Sequence, residues 1–97
     1  MTEDVVNLVK SHLSKAVYEK QGRYTLIVGE FNGVKVVVCI AENYAKVMLE
    51  EDVPTLNCRE AEYSPAGLYA FSEKPENLPS KVAEKISALI SRKRRLN

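Results

Sequence analysis

The sequence predicts an α+β domain. A four-stranded antiparallel sheet, made of two hairpins, is packed with amphipathic N- and C-terminal helices and a short middle helix. Three observations lead there. Asn32-Gly33 separates two long apolar runs, "YTLIVGEF" and "VKVVVCIA", and both central residues of a type I′ hairpin turn need positive φ. Apolar residues recur at helical spacing near both ends of the chain. A second turn signal, Ser64-Pro65-Ala66-Gly67, stands between "TLNCREAEY" and "GLYAFSE", with proline where φ is preset and glycine where it is free.

Length and charge bound the reading. With 97 residues, 45% of them hydrophobic, the chain can close one core but not two, so residues 1–97 form a single domain with a basic helix end at 91–97. Lys+Arg 14 against Asp+Glu 13 leaves a net charge of +1, so any electrostatic preference is local. The start, "MTEDVVNLVK", is acidic and then amphipathic, unlike a secretory leader. No apolar run approaches the ~20 residues that span a bilayer. The expectation is a cytoplasmic protein with no membrane role.

The first helix is expected over Glu3 to Lys20. Thr2 caps it, Glu3 and Asp4 suit its positive end, and Val5, Val6, Leu8, Val9, Leu13, Ala16 and Val17 form the apolar stripe until Gly22 stops it. In the central hairpin the turn sets the register: Phe31 opposes Val34, Glu30 opposes Lys35, Val28 opposes Val37 and Leu26 opposes Cys39. The Glu30–Lys35 pair supports it, because opposite charges across a ladder stabilise and a one-residue slip would lose them. Thr25, Ile27, Gly29 and Phe31 then share a face with Val34, Val36, Val38 and Ile40; Tyr24, Leu26 and Val28 share the other with Val37, Cys39 and Ala41. Both faces are apolar through the middle, so the pair requires cover above and below. Helix formers and a Glu42–Lys46 pair predict the middle helix over Glu42 to Leu49. "EKPENLP" reads as a loop. From Ser80 a last helix carries Val82, Ile86, Leu89 and Ile90 and ends in cations, which suit the negative end of its dipole.

Catalytic and ligand signatures do not emerge. His12 has no other ligand at metal spacing, and the four glycines form no phosphate-cradling loop. Cys39 and Cys58 are too few for a disulfide framework or a zinc site. They read as buried thiols, a single bridge being the option for a hyperthermophile's cytosol. Arg59 points away from Cys58 if both lie on a strand, so no activated thiolate is expected. Glu50, Glu51 and Asp52 read as a solvated acidic loop. Neither enzyme activity, cofactor nor metal is expected.

The sharpest feature is the basic end, where Lys81, Lys85, Arg92, Lys93, Arg94 and Arg95 stand against one acid, Glu84. Arginine-rich ends neutralise phosphates and strand aromatics stack unpaired bases, which offers Tyr69 and Phe71, two apart and on one face, as partners of that end. The leading functional expectation is a small non-catalytic module binding single-stranded nucleic acid through these residues. The alternative is a protein-interaction or homodimerisation module that uses the apolar hairpin face of Phe31, Val34, Val36 and Val38.

Overall fold

The structure, a computed structural model, describes residues 3–96 and the side chains of residues 4–93; Thr2, the expected cap, lies outside the described residues. The elements are α1 (Glu3–Ser11), β1 (Ser14–Gln21), β2 (Tyr24–Phe31), β3 (Val34–Ala41), β4 (Tyr44–Leu49), a 3₁₀ turn (Glu50–Asp52), α2 (Cys58–Ala61), β5 (Leu68–Phe71), a second 3₁₀ turn (Pro75–Asn77) and α3 (Leu78–Leu96). The class is α+β, as the pattern predicts. The sheet has five strands, all antiparallel, in the order β1-β2-β3-β4-β5, so each strand pairs with its neighbour in sequence.

The central hairpin has the predicted register, with Phe31↔Val34, Glu30↔Lys35, Val28↔Val37 and Leu26↔Cys39 paired. Its turn residues, Asn32 and Gly33, both have positive φ, 50° and 81°. Four other elements differ from expectation, each for a physical reason.

The first helix ends at Ser11, not Lys20. Ser11 Oγ donates to the Leu8 carbonyl (2.6 Å), and the His12 and Leu13 amides donate to Val9 and Lys10 in tight three-residue turns. Lys15 then takes φ 53°, which no helix allows, and the chain re-enters as β1 through an irregular register between Ser14 and Val17. Val17 and Tyr18 favour a strand, and Gly22-Arg23 forms the two-residue link to β2.

The segment expected as a middle helix is β4. Tyr44, Lys46 and Met48 face one way, Ala45, Val47 and Leu49 the other, and pairing on both sides to β3 and β5 outweighs the helix propensity of the segment. The expected second hairpin keeps only its later strand. Residues 53–64 cross one face of the sheet and carry α2, whose start is capped by Asn57 accepting from the Glu60 amide (3.1 Å). The last helix begins at Leu78, so the "EKPENLP" loop is in part a 3₁₀ turn and the first helical residues, with Pro79 tolerated in the first turn.

The two faces of the sheet are covered differently. On the helix face, Val5, Val6 and Val9 of α1 and Leu78, Val82, Ile86, Leu89 and Ile90 of α3 bury Ile27, Val36, Val38, Ile40, Ala45, Val47 and Ala70. On the opposite face, the crossing segment covers Tyr24, Leu26, Val37, Cys39, Ala41 and Met48 with Cys58 and Ala61. The doubly apolar hairpin is therefore covered twice within one chain.

The crossing segment is short of regular structure, so it needs anchors. Cys39 and Cys58 are joined by a disulfide (Cα–Cα 5.6 Å), which corrects the reading of buried free thiols. Gln21 accepts from the Cys58 amide (2.9 Å) and donates to the Leu56 carbonyl (2.9 Å). Lys46, buried on this face, donates to the Ala61 carbonyl (2.8 Å) and to the Ser64 carbonyl just past α2. Burial lowers its pKa from the ordinary lysine value, and the carbonyls offset that cost by satisfying the ammonium. Among the described residues, no helix is long and apolar enough to cross a membrane.

Candidate functional site

The crossing segment covers only part of its face. Toward β5 the sheet is left bare, and the period-two alternation of β4 and β5 places aromatic rings there. Tyr44 is paired with Phe71 across the ladder, and Lys46 with Tyr69. The three rings form a cluster: Tyr69 and Phe71 lie 5.8 Å apart at 22°, Tyr44 and Phe71 6.0 Å apart at 29°, and Tyr44 and Tyr69 6.3 Å apart. Phe71 is 64% exposed and Tyr69 38%, and Tyr63, just after α2, is 84% exposed. Large rings left in water at this density are costly unless something covers them.

Glu62 holds the cluster in place. Its carboxylate accepts from the hydroxyls of Tyr24 and Tyr44 (2.6 Å for Tyr44), and its carbonyl accepts from the Tyr69 hydroxyl (2.9 Å). Arg23, in the β1–β2 link, donates to the Tyr44 hydroxyl and lies 3.7 Å from the Glu62 carboxylate. Burial, then the Glu62 carboxylate, then Tyr44 raise the Tyr69 pKa above its ordinary value, so its hydroxyl stays a donor. The rings are therefore fixed by hydrogen bonds at their hydroxyl ends while Phe71, which has none, lies open.

Two concavities flank the cluster. One, of about 410 Å³, runs from Phe71 to Lys74, Ser80 and Lys81 at the start of α3. The other, of about 860 Å³, is walled by the β1–β2 link and by α2, with Arg23, Arg59, Tyr63 and Tyr69 on it.

Of the residues expected to bind nucleic acid, Tyr69 and Phe71 share this face and Lys81 borders it, exposed and 3.8 Å from Glu84. The others are elsewhere. Lys85 is half-buried on α3, on the helix side of the sheet. Arg92 is exposed and Lys93 is paired with Glu51, beside the opposite end of β4. Nineteen residues of α3 run about 28 Å, so the basic end stands away from the rings in both length and face. The side chains of Arg94 and Arg95 lie outside the described residues.

The hairpin face offered for self-association lies under the helices. Val36 and Val38 are fully buried, and Phe31 and Val34 pack half-buried against the same core. His12 is exposed just after α1, and no group of three or more potential metal ligands occurs among the described residues.

Tyr44, Arg23, Arg59, Glu62 and Tyr63 were not anticipated as a site. The one available signal was in β4: read with period two, "YAKVML" puts Tyr44 on the face of Tyr69 and Phe71, whereas a helical reading scatters them. Comparisons of the chain with protein-family models, with curated proteins and with solved structures find no match to any of them.

Proposed function

We propose that this chain is a small non-catalytic module that binds single-stranded nucleic acid on the aromatic face of its sheet. The observation that carries the reading is the cluster of Tyr69 and Phe71, exposed on the face opposite the helices, with the half-buried Tyr44 beside them and Arg23, Arg59, Lys74 and Lys81 around it. Bases with no partner strand stack on such rings without regard to sequence, and flanking cations meet the phosphates. A rigid sheet supports the reading, because rings held by Glu62 lose little freedom when a base arrives. The basic end of α3 then adds general attraction for a polyanion and no base contact.

The test is a titration of fluorescently labelled oligonucleotide at low salt, followed by anisotropy. Binding should weaken with salt at a log-log slope of about −0.7 for each phosphate contacted. Phe71→Ala should weaken it by about 1–3 kcal/mol, the usual worth of one stacked base. A titration with no binding at low salt removes the reading.

A further inference from the structure

The larger concavity is more than a gap beside the rings. Its walls come from elements far apart in sequence, the β1–β2 link and α2, which the Cys39–Cys58 disulfide and the Gln21 contacts hold in a fixed relation. It carries two guanidinium groups, Arg23 and Arg59, and one carboxylate, Glu62. That carboxylate is already engaged by two tyrosine hydroxyls and by Arg23. Arg59 is exposed and has no acidic partner within 4.0 Å among the described residues. The lining thus keeps an unneutralised guanidinium beside a second one whose counter-ion is shared.

Resting on the reading above, we propose that this concavity takes the terminal nucleotide of the bound strand, with its phosphomonoester held by Arg59 and Arg23. Tyr69 belongs both to the ring cluster and to the lining, so a strand stacked on Phe71 and Tyr69 continues directly into it. About 860 Å³ is room for a whole nucleotide rather than a bare anion. A terminal phosphomonoester carries about −1.5 to −2 charge and three acceptor oxygens, against one charge on an internal diester. Planar guanidinium forks match that geometry. Tyr63, the most exposed large apolar side chain among the described residues, stands at the rim where the last base would lie.

The experiment compares one oligonucleotide sequence in three forms, 5′-phosphorylated, 3′-phosphorylated and unphosphorylated, against the full chain at a single salt concentration. One phosphorylated end should bind about ten-fold more tightly or better than the unphosphorylated form, the worth of a charge-assisted contact. Arg59→Ala should abolish that preference, its loss of affinity for the phosphorylated form exceeding its loss for the unphosphorylated form by the same roughly ten-fold. Its fold is not at risk, because Arg59 is exposed and makes no ion pair among the described residues, and circular dichroism checks it. Equal affinity for all three forms in the wild-type chain overturns the terminal pocket and leaves the strand-binding reading standing. No binding of any form removes both.

Discussion

Reducing the Cys39–Cys58 bridge is the perturbation whose effect can be worked furthest from the structure. The bridge joins residues 19 apart, tying the crossing segment to the middle of β3. Restraining a loop of that length in the unfolded chain is worth about 11 cal/mol/K, or about 3 kcal/mol at 25 °C. A domain of this size shifts its melting temperature by roughly 4–8 °C per kcal/mol, so reduction should lower Tm by about 12–24 °C. The assay is thermal unfolding by circular dichroism, with and without a phosphine reductant, on the wild-type chain and on Cys58→Ala. Because Cys58 is buried, the reductant must be equilibrated through an unfolding cycle, and a thiol count must show two free thiols per chain. The reductant should destabilise the wild type and leave Cys58→Ala unchanged. A fully reduced wild type that melts within about 2 °C of the oxidised protein would refute the reasoning, because the segment would then be held by its hydrogen bonds and packing alone.

Three further outcomes follow from the same structure. Phe31→Ala should cost about 2 kcal/mol in urea unfolding, below the ~3–5 of a fully buried ring, since Phe31 is half-buried against the helix-face core. Gly67→Ala should cost more than about 2 kcal/mol, because its φ is +93° and an added Cβ would meet the Val47 carbonyl oxygen at 2.4 Å; Gly22→Ala, at φ +60° with open space around it, should cost about 1 kcal/mol. In a spectrophotometric tyrosine titration the component lost in Tyr69→Phe should ionise above the ordinary tyrosine value, since burial and Glu62 raise its pKa. Between the ordinary and the raised value the folded chain keeps a proton that the unfolded chain has released, so stability should fall as pH rises through that window.

What was legible in the sequence was whatever had a local cause. Asn32-Gly33 and the Glu30–Lys35 pair specify the register of β2 and β3, and four-, three- and one-residue spacings reveal α3. β1 was hidden because it is an edge strand with both Val17 and Tyr18 exposed, so burial imposes no alternation, and its apolar residues happen to continue the stripe of α1. β4 was hidden for the opposite reason. It is buried on both faces nearly throughout, and a short apolar run of that kind carries no period of its own. Misplacing β4 also hid the site, because Tyr44 meets Phe71 only when the two strands pair. The Asn57 cap that starts α2 falls in a segment read as a strand of the second hairpin, so the crossing segment was missed with it. The disulfide depends on that crossing, which brings Cys39 and Cys58, 19 apart in sequence, to a Cα–Cα distance of 5.6 Å.

The aromatic face is the central claim, and it is tested most directly by mapping where an oligonucleotide touches the chain. Backbone amide chemical shifts should be followed while an unlabelled single-stranded oligonucleotide is titrated into isotope-labelled protein at low salt. The account predicts the largest changes at Tyr44, Tyr69 and Phe71, with Arg23, Arg59 and Tyr63 following. Changes confined to the last turns of α3 around Arg92 and Lys93, with the three ring-bearing residues unmoved, would contradict it.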